Sequence, residues 1–156
     1  MNATLPPLGR RFGPRGHVLF VCIRNSARSQ MAEAFLNDMC TGDFVAESAG
    51  MEPGDLSPLA VQTMREVGID ISGKSTQGVF DLFKAGRLHS HVITVCDEAS
   101  AEACPIFPGV VERLHWSIPD PATLEGTWEV RLAGIRPIRD AIRNEVEKFC
   151  HALCTR

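Results

Sequence analysis

The chain has 156 residues, of which 44% are hydrophobic and 22% charged, and a formal net charge of −3. That is the length of one domain with enough apolar residues for a sizeable core, which excludes a disordered chain, and the mildly acidic balance excludes a general nucleic-acid surface. No apolar run reaches the roughly 20 residues needed to cross a bilayer. Residues 1–16, MNATLPPLGRRFGPRG, lack the apolar stretch of a signal peptide and read as a flexible lead-in to a single domain over 17–156.

The six cysteines are Cys22, Cys40, Cys96, Cys104, Cys150 and Cys154. In a chain with ample core residues and no export signal, they are expected to be reduced, reactive or metal-binding thiols in the cytoplasm rather than a disulfide framework. Tyrosine is absent, so no step can use a phenolic hydroxyl.

In chain order, His17–Cys22 is a short run of β-formers suited to a buried strand. A helix is expected over Ser29–Met39, with Met31, Ala34, Phe35 and Met39 on one face and Gly42 as its stop. Phe44–Ser48 is a second strand ending at Ala49-Gly50. Ser57-Pro58 opens a helix, with Ser57 as N-cap and Pro58 in the first position, that stops at Gly68. Val79–Ala85 reads as a short helix, His91–Cys96 as a third strand and Val111–Trp116 as a fourth. Thr127–His151 carries a long amphipathic pattern that Pro137 is expected to break or kink. Strands separated by helices predict an α/β fold, a parallel sheet with helices on both faces. Ligands of such sheets bind beyond the carboxyl ends of the strands, where Cys22, Cys96 and the segment leading to Asp120 converge.

Between the first strand and first helix lies Cys22-Ile23-Arg24-Asn25-Ser26-Ala27-Arg28-Ser29, of the form C-x5-R-S. A loop of this length can turn its backbone N–H groups inward, forming an anion nest backed by a helix N-terminus. Arg28 can grip two oxygens of a tetrahedral oxyanion, and the positive field favours a Cys22 thiolate aimed at the centre of the anion. Ser29 can donate a hydrogen bond to that thiolate. Arg24 either adds charge at the pocket mouth or points to solvent.

Cys96 and Cys104 flank a segment of polar and small residues. They could join if that segment rearranges, or they could pack as small apolar side chains. Asp120-Pro121 either supplies a general acid opposite the nest or is an ordinary turn. Cys40 is expected to pack at the end of the first helix, Cys150 and Cys154 are given no role, and His89 and His91 are expected at the surface. No cofactor and no metal are implied by these residues.

The stretch V-L-F-V-C-I-R-N-S-A-R-S-Q-M-A-E-A resembles the active-site loop of the low-molecular-weight protein tyrosine phosphatase superfamily, and in particular its thioredoxin-coupled arsenate reductases. The similarity continues through Glu47-Ser48-Ala49-Gly50 and Gly68-Ile69-Asp70-Ile71-Ser72 and covers roughly residues 17–150. It implies a four-stranded parallel sheet flanked by helices. It also implies Cys22 as nucleophile, Arg28 and the amides of Ile23 to Ser29 as the oxyanion site, and Asp120 as the acid. Cys96, and Cys104 before Pro105, match the reductases' second and third thiols, though their spacing is one residue longer than the usual pattern. His115-Trp116 followed by Asp120-Pro121-Ala122 also resembles the reductases; the phosphatases usually carry tyrosine after Asp-Pro.

The resemblance therefore implies reduction of arsenate to arsenite through a three-cysteine disulfide relay, with phosphate as competing anion and thioredoxin as reductant. No membrane or nucleic-acid partner is expected. The alternatives are a phosphomonoesterase using Cys22, Arg28 and Asp120 alone, a reductase fed by a low-molecular-weight thiol, or a non-enzymatic oxyanion-responsive protein. Some members bind potassium beside the loop. Asn25, Glu33 and Ser48 match that site, while Gln77 stands where those members have aspartate.

Overall fold

A computed structural model describes residues 16–110 and 112–154. Four strands form one parallel sheet: β1 (Gly16–Cys22), β2 (Phe44–Gly50), β3 (His91–Thr94) and β4 (Glu112–His115), in the order β2-β1-β3-β4. Among the described residues there are also five helices: α1 (Arg28–Met39), α2 (Pro58–Arg65), α3 (Val79–Lys84), α4 (Glu98–Glu102) and α5 (Trp128–Cys154). A 3-10 turn spans Pro121–Thr123.

Central β1 is buried along almost its whole length because both sheet faces are covered. Successive side chains of a strand point to opposite faces. Val18, Phe20 and Cys22 accordingly join the larger core with residues of α1, α2 and α5, including Met31, Phe35, Met64, Ile135 and Ile142. Leu19 and Val21 face the other way, into a smaller cluster with Ala49, Val79, Leu82, Val92, Cys104 and Phe107. The strand order places a topological switch between β1 and β3, since the chain leaves β1 toward β2 and leaves β3 toward β4. A crevice therefore opens at their carboxyl ends.

The predicted alternation of strands and helices holds, with local differences. The lead-in lies outside the described residues except for Gly16, which opens β1. The strand β3 ends at Thr94, two residues before Cys96, although the Val95 amide still donates to Val21 O at 2.7 Å. The edge strand β4 is largely exposed. Ser57 caps α2 as predicted, accepting from the Ala60 amide at 3.2 Å.

Pro137 does not break the last helix: α5 runs 27 residues through it. The ring sits on the exposed side of α5, where water can satisfy the one carbonyl that proline leaves without its intrahelical donor. The opposite face is held by buried Leu132, Ile135, Ile138, Ile142 and Val146.

The expected set of reduced thiols is also corrected. Cys40, just past α1, is bonded to Cys150 in α5, 110 residues away, with Cα atoms 6.0 Å apart. Helices that pack side by side bring together two cysteines that nothing in their local sequence links. The histidines are corrected too. His89 is 2% exposed and bonds Glu47 at 2.5 Å. His91 is half-buried against the rings of Phe44 and Phe149. Among the described residues no helix is long and apolar enough to cross a membrane.

Candidate active site

The loop between β1 and α1 is shaped from outside. The carbonyl oxygens of Cys22, Ile23, Arg24 and Ser26 accept from the amides of Met51 (3.0 Å), Glu52 (2.7 Å), Gly54 (2.9 Å) and Ser57 (3.0 Å). In a trans peptide the C=O and the following N–H point in opposite directions. With those carbonyls turned outward, the amides of Ile23, Arg24, Asn25 and Ala27 turn to the concave side. The Asn25 amide donates to Cys22 Sγ at 3.2 Å. This curl puts Asn25 at φ 57°, a left-handed conformation that asparagine tolerates better than most residues. Gly50 lies against the outer side of the loop, where a Cβ would come within 2.7 Å of Arg24 C and Asn25 N.

The N-cap of α1 is Ala27, which makes no side-chain capping bond. The first amides of the helix are thus left for a ligand, as an anion site at a helix N-terminus requires. Arg28 is 5% exposed. Its Nη1 donates to Ile118 O at 3.0 Å, and its Nη2 lies 3.7 Å from Asp120 Oδ2. Asp120 is fixed by its other oxygen, which accepts from the Ala122 amide at 2.9 Å. Nest, guanidinium and carboxylate open onto a cavity of 540 Å³ whose walls also include Arg24, Leu59, Trp128 and Arg131. The Arg131 guanidinium stacks over the Trp128 ring, 5.7 Å from its centroid. Arg24 is both exposed and part of the cavity wall.

Cys22, Cys96 and Cys104 are free and buried. Burial pushes the Cys96 thiol up to about 11; Arg28 opposes this, while Asp97, Cys22 and Cys104 add to it. Burial also pushes the Cys104 thiol up, against a smaller effect of Arg113. Cys96 stands at the carboxyl end of β3, and Cys104 lies in the core on the opposite sheet face from Cys22. Between them α4 is a five-residue helix capped by Asp97, whose side chain accepts from the Ser100 amide at 2.8 Å.

Behind the loop runs a buried polar network. Cys22 Sγ and Ser29 Oγ are 2.9 Å apart. Asn25 Nδ2 donates to Ser29 Oγ (2.8 Å) and to Ser48 Oγ (2.9 Å). Ser48 Oγ donates to Glu33 Oε1 at 2.8 Å, and Glu33 Oε2 is paired with Lys74 Nζ. A potassium ion needs oxygen acceptors turned toward it. Here Glu33 already holds an ammonium, and the Gln77 amide nitrogen donates to Ser48 O at 2.9 Å. These residues do not fit a potassium ion. Among the described residues no group of three or more His, Cys, Asp or Glu side chains is placed to hold a metal.

The structure thus brings Cys22, Arg28, Ser29 and Asp120 together, with Cys96 close enough to interact electrostatically with Arg28 and Cys22. Cys104 packs in the core on the other face, yet it too is close enough to Cys96 to interact with it electrostatically. Sequence reasoning missed Lys74, Gln30, Trp128 and Arg131. The one usable signal was Glu33, an acid on the same helix as buried Ala32 and Phe35, because a buried charge implies a partner.

A four-stranded parallel sheet thus carries, at its switch point, a C-x5-R loop whose inward amides and guanidinium face one cavity. The sequence profile of the low molecular weight phosphotyrosine protein phosphatase family matches residues 17–156, and the chain belongs to that family. It is similar to an arsenate reductase of Shouchella clausii, with 42% identity over 85% of this chain and 93% of that protein. Its fold resembles a solved arsenate reductase in the phosphate binding state, with a TM-score of 0.71 and 30% identity over 88% of this chain and 98% of the other. It also resembles a thioredoxin-dependent arsenate reductase of Corynebacterium glutamicum, with a TM-score of 0.68 and 25% identity over 89% of this chain and 62% of that one.

Proposed function

We propose that the chain reduces arsenate to arsenite using Cys22, Cys96 and Cys104, with thioredoxin as the reductant. The observation that carries this reading is a pair of free thiols beyond the nest, Cys96 and Cys104, which hydrolysis of a phosphate ester does not use.

Arsenate is held by the loop amides and Arg28, which place charge donors where the oxyanion sits. The Cys22 thiolate attacks arsenic, and Asp120 protonates the departing oxygen, which leaves as water. The deprotonated Cys96 then attacks Cys22 Sγ. The electron pair of the sulfur–arsenic bond passes to arsenic, reducing As(V) to As(III), and arsenite leaves as a Cys22–Cys96 disulfide forms. Cys104 attacks Cys96 Sγ and releases the Cys22 thiolate, which carries the disulfide to Cys96–Cys104. Thioredoxin, a dithiol protein, reduces that bond by exchange. Cys104 must leave its core on the far sheet face, and the short α4 is the element that has to unwind for it to do so.

Replacing Cys96 with serine tests the relay: multiple turnover with thioredoxin as sole electron source is lost, while binding of arsenate remains. Sustained turnover by Cys96→Ser contradicts it.

A second reading, hydrolysis of phosphate monoesters, is favoured by the 540 Å³ cavity, which exceeds what a bare oxyanion fills and has Leu59 and Trp128 in its walls. It needs Cys22, Arg28 and Asp120 but neither of the other thiols. Cys22→Ser abolishes both activities, whereas Cys96→Ser abolishes only the reductase.

A further inference from the structure

The cavity over the Cys22 loop holds more positive charge than one oxyanion needs. Arg24, Arg28 and Arg131 all line it, and among the described residues Asp120 is the one carboxylate in its wall. Arg28 and the loop amides serve the oxyanion, and Arg28 also faces Asp120. Arg24 and Arg131 are left over. Arg65, Arg87, Arg136, Arg139 and Arg143 each pair with a carboxylate. Among the described residues neither Arg24 nor Arg131 has such a partner. In a chain of negative net charge, two uncompensated guanidinium groups on one cavity create a local positive field.

Both side chains are partly held in place. The Gly54 amide donates to Arg24 O at 2.9 Å, and the Arg24 stem runs past Gly54, where a Cβ would lie 3.5 Å from Arg24 Cδ. The Arg131 guanidinium stacks on Trp128, which uses its face and leaves its in-plane N–H donors for a ligand. Trp128 is 38% exposed and, with Leu59, adds apolar surface to the same wall. The volume of 540 Å³ falls in the range of small-molecule sites, about 300–1,000 Å³.

We propose that Arg24 and Arg131 form a second anion subsite in this cavity, and that it takes small aromatic phosphate monoesters carrying a second negative group, a carboxylate. The phosphate sits in the nest on Arg28, the ring lies against Trp128 and Leu59, and the carboxylate is held by the two leftover guanidinium groups. This inference rests on the reading of the Cys22 loop as an oxyanion site, and it gives the phosphomonoesterase reading a substrate class.

Titration calorimetry with phosphonates, which resist hydrolysis, tests the subsite without turnover. Wild type is expected to bind 3- or 4-carboxyphenylphosphonate at least about fivefold more tightly than phenylphosphonate at low ionic strength, the gain of one partly exposed ion pair. The advantage should shrink as salt is added. The single variants Arg24→Gln and Arg131→Gln should each lose part of it, and the double variant should bind all three ligands within about twofold of one another. Excess inorganic phosphate should displace all three from wild type. Equal binding of the three by wild type, a preference that survives in both single variants undiminished, or failure of phosphate to displace the carboxylated ligand would each overturn the inference. The underlying reading fails separately, if wild type binds neither phosphate nor phenylphosphonate.

Discussion

Arg28 joins the two halves of the site. One of its nitrogens holds the carbonyl of Ile118 at 3.0 Å, and another lies 3.7 Å from the Asp120 carboxylate, far away in the sequence. The arginine at the end of the β1–α1 loop thus also holds the segment that carries Asp120. Lysine cannot make both contacts, because it offers a point charge rather than a planar fork. Arg28→Lys is expected to lower kcat/KM for arsenate by about 10²–10³-fold, the range for loss of an oxyanion donor. Asp120→Asn, which keeps the turn hydrogen bond to Ala122, should lower kcat by about 10²-fold or more with little change in KM. Steady-state kinetics on the two variants check both.

Gly50 should not tolerate a side chain. A Cβ there would meet the loop backbone at Arg24 and Asn25, which is fixed by hydrogen bonds to residues 51–57 and cannot move aside like a flexible side chain. Gly50→Ala is expected to cost about 1–3 kcal/mol and to lower arsenate affinity by distorting the nest. The urea midpoint and a binding titration with phosphate measure the two effects together.

Much of this arrangement could be read from the residues. The strand before the loop and the helix after it follow from apolar periodicity, and the C-x5-R-S spacing names Cys22, Arg28 and Ser29 directly. Asp120 is legible because Asp-Pro fixes a turn at the carboxyl end of the sheet. Lys74 is not, because an isolated lysine in a polar loop has no local pattern that announces a buried carboxylate on another element. The Cys40–Cys150 bond depends on how α1 packs against α5, a tertiary relation between residues 110 positions apart. His89 was misplaced for a similar reason: Glu47 in β2 and Phe107 after α4 bury it, and neither is near it in sequence.

The Cys40–Cys150 disulfide should contribute stability but no chemistry. Closing a loop of 110 residues restricts the unfolded chain and is worth about 5 kcal/mol in the chain-entropy account. Cys40→Ser combined with Cys150→Ser is expected to lower the urea midpoint while leaving single-turnover arsenite formation intact. Loss of that turnover in a still-folded variant would place this pair in the relay.

Among the described residues, the free thiols of Cys22, Cys96 and Cys104 should differ in reactivity. With Cys96 held near 11 by burial and Cys104 also raised, both remain protonated at neutral pH in this conformation. Iodoacetamide should modify Cys22 first and reach the other two only as the pH climbs or the α4 segment opens. The sign for stability follows from the raised value. The folded state binds the Cys96 proton more tightly than the unfolded chain does, so this contribution is intact below pH 9.0 and is lost as pH rises toward about 11. Urea midpoints across that window should fall more steeply for wild type than for Cys96→Ala.

The relay itself is tested most directly by one turnover of fully reduced Cys22, Cys96 and Cys104 with arsenate, without thioredoxin, followed by peptide mapping of disulfides. Beside the resident Cys40–Cys150 pair, the account predicts a new Cys96–Cys104 bond formed in proportion to arsenite. Arsenite released with no new bond at Cys96, or no arsenite while a phosphate ester is still hydrolysed, would contradict it.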